Sequence, residues 1–195
     1  MEHIAATGLT DYVSVMAGSN ANFAETIPPM TYPRPQIAEL SAKFKQALNV
    51  PVIVAGRITT PADAEAVLAN EQADLVALAR AFIADADWMT KVETGQVDRI
   101  RQCTGCNQVC LGFAGRSLPA GCNFNAEAGR EDELPPVTAA KTKKRVAIVG
   151  GGPAGLECAR VAAERGHDVT LYEAANHLGG ELYLAANCPN RDEFK

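Results

Sequence analysis

The stretch Val146-Ala-Ile-Val-Gly-Gly-Gly-Pro-Ala-Gly155 joins a short apolar run to a turn of three consecutive glycines. The apolar run predicts a buried β-strand, and the Ala-rich residues that follow, to about Arg165, predict an α-helix. A second apolar run, Val169-Thr-Leu-Tyr172, comes next and ends at Glu173. A strand, a glycine turn, a helix and a second strand in this order predict a βαβ unit with parallel strands.

The glycine turn has the residues that a pyrophosphate site requires. Gly150 permits the tight turn, Gly152 lets a ligand approach the backbone, and Gly155 lets the helix pack close to the strand. A pyrophosphate would lie at the positive end of the helix dipole, and the Glu173 carboxylate would accept hydrogen bonds from ribose hydroxyls. The unit therefore predicts a site for an ADP-containing dinucleotide. The alternative is that the glycines only form an ordinary tight turn.

Upstream, residues 1–100 alternate between short apolar runs and helical patterns, which predicts a parallel α/β sheet or barrel. Strands are predicted at 11–16, 50–55 and 74–79. The pairs Gly56-Arg57 and Ala79-Arg80 follow the second and third of these strands. If the two strands are the last of a barrel, their carboxyl ends form a phosphate site in which an arginine binds the anion. Arginines after strands are also common as solvated loop residues.

The same region contains three predicted helices and one predicted loop. The helices are predicted at 37–48, from Pro61 with Thr60 as the N-cap, and at 87–95. Ile27-Pro-Pro-Met-Thr-Tyr-Pro-Arg-Pro35 has four prolines in nine residues. Because proline lacks a backbone N–H and restricts the residue before it, this segment is predicted to be an extended loop.

Four of the six cysteines lie within one stretch with the spacing Cys-x2-Cys-x3-Cys-x11-Cys, namely Cys103, Cys106, Cys110 and Cys122. Without a visible secretion signal, such a cluster indicates metal or redox chemistry rather than disulfides. Four thiolates complete one four-coordinate site, which suits an iron-sulfur cluster or a structural zinc ion. The spacing favours the cluster and leaves zinc open. Cys158, in the helix after the glycines, is expected to be a core thiol.

The composition narrows the class of protein. The chain has 195 residues, 47% hydrophobic and 21% charged, with a formal net charge of -5, as in a globular protein. The acidic excess gives no overall field that would attract nucleic acid. The longest apolar stretches have the length of a strand, so no bilayer-spanning segment is expected. We therefore expect a cytoplasmic protein that does not bind nucleic acid or membranes.

With a barrel end, a cysteine stretch and a dinucleotide fold in this order, the chain resembles the 2,4-dienoyl-CoA reductase and trimethylamine dehydrogenase family of flavoenzymes, related to old yellow enzyme. The resemblance covers nearly the whole chain. The matching segments are Val54-Ala-Gly-Arg-Ile58, Ala73-Asp-Leu-Val-Ala-Leu-Ala-Arg80, Ile83-Ala-Asp85, Cys103-Thr-Gly-Cys-Asn-Gln-Val-Cys110, Val146 to Gly155, and Leu178-Gly-Gly180.

The resemblance implies an α/β fold in several parts. Residues 1–100 would be the last three βα units of a flavin-binding TIM (β/α)8 barrel, and 101–130 a 4Fe-4S segment. Residues 131–144, which are polar and contain Pro135-Pro136, would be a linker. Residues 145–195 would begin a Rossmann-like FAD-binding domain.

The resemblance also implies an electron relay. NAD(P)H would reduce FAD, the cluster would pass electrons singly, and FMN in the barrel would react with a small organic substrate of the enoyl, dienoyl or N-methylated amine type. The four clustered cysteines would hold the 4Fe-4S cluster. Gly18 and Ser19 would lie near the flavin. The FMN phosphate would be held by Gly56, Arg57, Ala79 and Arg80. FAD would be held by Gly150, Gly152, Ala154, Gly155, Glu173 and Gly180.

Two departures from the family bear on function. A full barrel takes about 250 residues, whereas only about 100 precede the cysteines, so we expect a fragment that is inactive alone. Dienoyl-CoA reductases place a histidine in the loop that corresponds to 18–27, and this loop has none. No catalytic acid is assigned. Asn20, Asn22 and Tyr32 are candidates for substrate contacts or ordinary loop residues. The alternative function is a non-catalytic scaffold with a zinc knuckle and a nucleotide fold.

Overall fold

A computed structural model describes residues 1–194 of the chain. The chain divides into two compact units, Met1–Arg130 and Glu131–Lys195. The division falls where the polar segment 131–144 begins.

The first unit is built on a sheet of three parallel strands in the order β1-β2-β3: β1 (Val13–Val15), β2 (Val52–Ala55) and β3 (Leu75–Ala77). The register pairs Val15 with Val54 and Val54 with Val76. The predicted parallel sheet is therefore confirmed, although each strand is shorter than its predicted run. One reason is that Pro51 has no N–H to donate, so that only its carbonyl bonds to the neighbouring strand, from Val13 N at 2.9 Å.

The helices of the first unit agree with the sequence pattern where they are long. Those predicted at 37–48, from Pro61 and at 87–95 correspond to α3 (Ala38–Ala47), α4 (Pro61–Ala69) and α6 (Trp88–Glu93). The four helices that the sequence analysis does not predict have only four or five residues, too few to display a helical period. The bounds are α1 Glu2–Ala5, α2 Phe23–Thr26, α3 Ala38–Ala47, α4 Pro61–Ala69, α5 Arg80–Ala84, α6 Trp88–Glu93 and α7 Cys110–Ala114, with a 3-10 turn at Val97–Arg99.

The start of α4 shows how local sequence fixes an element. The Thr60 hydroxyl accepts a hydrogen bond from Asp63 N at 3.1 Å, and the Asp63 carboxylate accepts one from Thr60 N at 3.0 Å. This is a complete capping box, with Pro61 at the first helical position. The predicted cap is confirmed.

The core of the first unit lies between the sheet and helices α3 and α4. Val52, Val54 and Val67 have almost no exposed surface. The remaining buried hydrophobic residues of this core are Val13, Val15, Ile37, Ala38, Leu48, Ile58, Ala64 and Ala73.

The second unit contains the predicted βαβ fold. β4 (Arg145–Val149) and β5 (Asp168–Tyr172) pair in parallel, with Val146 opposite Val169, and α8 (Pro153–Glu164) connects them. α9 (Glu181–Ala185) and a 3-10 turn at Asp192–Phe194 follow. The expectation that Cys158 packs in the core is wrong, because its side chain is exposed. The two-stranded sheet covers only a narrow face of α8, on which Ala162 is buried.

Within residues 1–194, no helix has the length and apolar character needed to span a bilayer.

Candidate functional site

The four clustered cysteines come together around one cavity in the first unit. Their thiols are free and half-buried, and they line this cavity from the loop before α7, from the first residue of α7 and from the loop after it. We call this space the cysteine cavity. Its other lining residues are Arg80, Ile83, Thr104, Asn107, Val109, Asn123 and Phe124.

Several N–H groups face the sulfur atoms. Phe124 N donates to Cys122 Sγ at 3.4 Å, and the Asn123 amide lies 3.9 Å from Cys106 Sγ. Burial raises the pKa of the Cys103 and Cys110 thiols, and backbone N–H groups and the Arg80 charge offset this only in part. The surroundings therefore supply donors and a positive charge that would stabilise thiolates once a metal replaces their protons.

A zinc ion and a cluster differ in how their ligands must be arranged. In the described part of the chain, no three His, Cys, Asp or Glu side chains are arranged to hold one metal ion. A structural zinc ion needs four ligands at about 2.0–2.3 Å from a single point. A cubane cluster instead offers one iron to each of four thiolates, so its ligands surround a larger object.

The cysteine segment, residues 101–130, is anchored on both sides of its four cysteines by contacts with α5 and the residue that follows it. Arg101 N donates to the Asp85 carboxylate at 2.8 Å, and Lys91 Nζ donates to the same oxygen at 2.6 Å. Beyond the fourth cysteine, Asn125 accepts from Arg101 Nη1 at 2.8 Å and donates to Ile83 O at 3.1 Å. Burial raises the pKa of Asp85, but the Lys91 and backbone hydrogen bonds outweigh it and the pKa is lowered. The carboxylate is therefore a charged, fixed anchor.

Arg57 and Arg80, predicted to bind a phosphate, both contact the proline-rich segment 27–35, which we call the proline loop. Arg57 is 3% exposed, and its Nη1 donates to Pro29 O at 2.6 Å. Arg80 Nη1 donates to Pro28 O at 2.8 Å. The backbone turns sharply after β2, with φ of 147° at Gly56 and 49° at Arg57. The structure therefore brings the two arginines to one loop, with the Arg57 guanidinium buried.

The proline loop in turn joins the strand ends to the cysteine segment. Asn107 accepts from Arg80 Nη1 at 2.6 Å and donates to Ile27 O at 2.8 Å, while Met30 N donates to Gly105 O at 3.0 Å. Sequence reasoning missed Asp85, Asn107 and Asn125 as site residues. Asp85 and Asn107 lie inside segments that carry the family resemblance, and that position is the signal that could have identified them.

The loop after β1 is tightly folded. Gly18 has φ of 88°, and a Cβ there would lie 2.4 Å from Thr26 N, so a side chain has no room. Ser19 is exposed and accepts from Ala21 N at 3.2 Å. Of the candidates for substrate contacts, Asn20 and Asn22 are exposed and Tyr32 is half-buried.

In the second unit the glycines of the turn differ in what constrains them. Gly150 has φ of 100°, and a Cβ at Gly155 would lie 1.9 Å from Gly150 O. Gly152 is the N-cap of α8, and a Cβ there would meet no atom within 4 Å. Gly150 and Gly155 are thus required by the fold, whereas the space at Gly152 is open. Ala154, also predicted to contact a dinucleotide, lies exposed in the first turn of α8.

Glu173 is held at the end of β5 by backbone donors. Its carboxylate accepts from Ala175 N at 2.8 Å and from Gly151 N at 2.6 Å, and these bonds lower its pKa. Gly179 N donates to Gly151 O at 2.8 Å, and a Cβ at Gly180 would lie 3.2 Å from Gly152 Cα. The two glycine turns and the acid predicted to bind a dinucleotide therefore form one contiguous group.

Residues 10–99 match the family model described as "NADH:flavin oxidoreductase / NADH oxidase family". This part of the chain is therefore similar to that family of enzymes. Residues 148–193 match a model described as "NAD(P)-binding Rossmann-like domain". The two matches support binding of FMN by the first region and of an NAD(P)-type nucleotide by the second.

The curated relatives of this sequence include a dehydrogenase and an oxidase. N,N-dimethylglycine/sarcosine dehydrogenase of Chromohalobacter salexigens is 42% identical over 97% of this chain and 28% of its own length. NADH oxidase of Thermoanaerobacter brockii is 39% identical over 93% of this chain and 28% of its own length. The chain thus spans little more than a quarter of each.

The fold is similar to that of a solved reductase. A complex of 2-naphthoyl-CoA reductase with 2-naphthoyl-CoA superimposes with a TM-score of 0.89 at 32% identity. The match covers 99% of this chain and 30% of that one. Together these relatives confirm the resemblance to the 2,4-dienoyl-CoA reductase and trimethylamine dehydrogenase family.

Proposed function

We propose that the chain is the cluster-bearing segment of an NAD(P)H-dependent iron-sulfur flavoprotein oxidoreductase, in which electrons pass between FAD, a 4Fe-4S cluster and FMN. When bound, the flavins exchange electron pairs and the cluster carries single electrons between them. The observation that carries the proposal is the gathering of Cys103, Cys106, Cys110 and Cys122 around one cavity. The family match over residues 10–99 supports the flavin part.

The spacing of the four cysteines and the donors around the cysteine cavity favour a cluster over a zinc ion. The four thiols are free, and N–H groups face two of the sulfurs. In this proposal Asp85 and Asn125 keep the ligand loop in shape. The alternative scaffold with a zinc knuckle is not favoured, because the relatives are named for oxidoreductase activities.

At the strand ends, we assign the FMN phosphate to the backbone of Gly56 and Ala79 and to the side chain of Arg80. Arg57, whose Nη1 is bonded to Pro29 O, would contribute by fixing the loop over the site. Gly18 and Ser19 would lie beside the flavin. Arg80 also lines the cysteine cavity, so the phosphate and the thiolates would share one positive charge.

In the second unit, we assign an ADP-containing part of FAD to the glycine turn. Its pyrophosphate would lie over Gly152 and Ala154 at the N-terminus of α8, where the helix dipole and open N–H groups favour an anion. Gly150, Gly155 and Gly180 would shape this surface. The charged Glu173 carboxylate would accept hydrogen bonds from the ribose.

The organic substrate is assigned only to a class. We propose a small molecule of the N-methylated amine or enoyl type, because one relative is named for dimethylglycine and sarcosine and a similar structure is a CoA-ester reductase. A secondary or tertiary amine and an activated alkene both exchange a hydride with a flavin, so both fit the same barrel chemistry.

Metal analysis of anaerobically purified protein tests the proposal. We expect about four irons and four acid-labile sulfides per chain, with loss of both in Cys106→Ser. Cys158→Ser is the matched control, because Cys158 is exposed and lies in the second unit, and it should retain the wild-type iron content. One zinc per chain with no sulfide would overturn the cluster and favour the scaffold.

A further inference from the structure

Thr104 is a lining residue of the cysteine cavity, and its hydroxyl is buried. The residue lies between the first cysteine and Gly105, is 4% exposed, and lines the cavity with the four thiols. Its Oγ1 has no hydrogen-bond partner among the residues that the structure describes. Of the buried side-chain polar atoms that share this property in residues 1–194, it is the one that belongs to the cavity lining.

An unsatisfied hydroxyl in such a place requires an explanation. Buried polar groups are nearly always hydrogen-bonded, and leaving one unpaired is unfavourable. A threonine hydroxyl is both a donor and an acceptor. Since the described residues supply no partner, a group that occupies the cavity could supply one. Thiolate and sulfide sulfurs are hydrogen-bond acceptors, so the hydroxyl would act as the donor.

Resting on the proposed cluster, we propose that the Thr104 hydroxyl donates a hydrogen bond to a sulfur atom of that cluster and raises its reduction potential. Reduction adds negative charge, which is shared by the sulfurs. A donor aimed at a sulfur therefore stabilises the reduced form more than the oxidised form, and hydrogen bonds to the sulfurs are a recognised control of cluster potential. Thr104 is a positioning and tuning residue, not a ligand.

The test compares the cluster potential in variants of the full 195-residue chain. Thr104→Val keeps the shape and removes the hydroxyl, while Thr104→Ser keeps the hydroxyl. We expect Thr104→Val to lower the midpoint potential by the equivalent of about a tenfold change in the ratio of reduced to oxidised cluster, or about 59 mV. Thr104→Ser should remain near the wild-type value. The measurement is a redox titration followed by the EPR signal of the reduced cluster.

A matched control and a second variant complete the test. Thr94→Val changes an exposed threonine outside the cavity and should leave the potential unchanged. If Thr104→Val fails to load iron, Thr104→Ala removes the same hydroxyl without adding volume and takes its place. The N–H groups that face the sulfurs should give exchangeable proton couplings in every variant by proton ENDOR. One further exchangeable coupling should be seen in the wild type and Thr104→Ser, and lost in Thr104→Val or Thr104→Ala.

The possible failures are distinguishable. Wild-type protein without iron or sulfide would overturn the proposed cluster itself. Loaded wild-type and Thr104→Val or Thr104→Ala proteins with the same potential and the same exchangeable couplings would overturn the role of Thr104 and leave the cluster in place. A lower potential in Thr104→Ser equal to that in Thr104→Val would also contradict it, because the hydroxyl would then have no effect.

Discussion

The Nη1 atom of Arg80 lies 2.6 Å from Oδ1 of Asn107, so a guanidinium at the start of α5 is bonded to the loop that carries the cysteines. Asn107 also donates to Ile27 O at 2.8 Å and has φ of 57°. We expect Asn107→Leu to lower the free energy of unfolding by about 2–4 kcal/mol, because two part-buried hydrogen bonds are lost and leucine is strained at positive φ. Urea denaturation followed by circular dichroism measures the loss.

Asn107→Gly separates the two causes. Glycine adopts the left-handed backbone without strain but makes neither side-chain hydrogen bond. Its loss should therefore be smaller than that of Asn107→Leu and still measurable. A Leu variant within about 0.5 kcal/mol of wild type would show that the contacts of Asn107 do not stabilise the loop.

The second prediction concerns the Asp85 carboxylate, which is 3% exposed and bonded to Lys91 and to Arg101 N. Asp85→Asn should destabilise the first unit by about 3 kcal/mol at neutral pH, because the half-buried Lys91 loses the buried carboxylate that neutralises its charge. The pKa of Asp85 is lowered by folding, so its stabilising effect is complete above the ordinary pKa of 3.8. The effect is lost as the pH falls below that value toward the folded pKa.

Unfolding of wild type and Asp85→Asn should therefore give stabilities that converge below pH 3.8. Asp74→Asn is the matched control. Its carboxylate is also bonded to a lysine and to a backbone N–H, but its side chain is 38% exposed. We expect it to cost no more than about 1 kcal/mol. Equal losses in the two variants would contradict the role that burial gives to Asp85.

The sequence predicted elements wherever a periodic pattern had a clear boundary. Thr60 and Pro61 fixed the start of α4, and the glycines with Glu173 fixed the βαβ unit, because each of these residues acts on its own neighbours. The four thiols were recognised as a group from their spacing alone.

The contacts that hold the site together could not be predicted in this way. Arg80 is predicted to bind a phosphate, but its bonds to Pro28 O and Asn107 were not predicted, because they join positions far apart in the chain. Such contacts depend on packing that no local pattern encodes. The exposure of Cys158 was missed for the same reason, because it depends on how much of α8 the small sheet covers.

A third prediction tests whether the capping box at the start of α4 stabilises the first unit. Thr60→Ala removes the hydroxyl that accepts from Asp63 N at 3.1 Å. We expect a loss of about 1 kcal/mol in the free energy of unfolding. Thr60→Ser keeps the acceptor and should stay close to wild type. A Ser variant as unstable as the Ala variant would show that the cap hydrogen bond is not the cause.

The last prediction separates a glycine required by the fold from a glycine kept free for a ligand. Gly155→Ala would place a Cβ 1.9 Å from Gly150 O, so we expect a loss of about 3 kcal/mol or more in the stability of the second unit. Gly152→Ala meets no atom within 4 Å, and its stability should stay within about 0.5 kcal/mol of wild type.

The two substitutions should affect different properties. Gly155→Ala should lower stability, whereas Gly152→Ala should weaken ligand binding. If a pyrophosphate approaches the backbone at Gly152, a methyl group there should weaken binding of ADP by about tenfold or more, which is about 1.4 kcal/mol. Calorimetric titration with ADP, together with thermal unfolding of the same samples, measures both quantities. A stable Gly152→Ala protein that binds ADP as well as wild type would place the pyrophosphate elsewhere, because the open space at the start of α8 would then not be the space that the ligand uses.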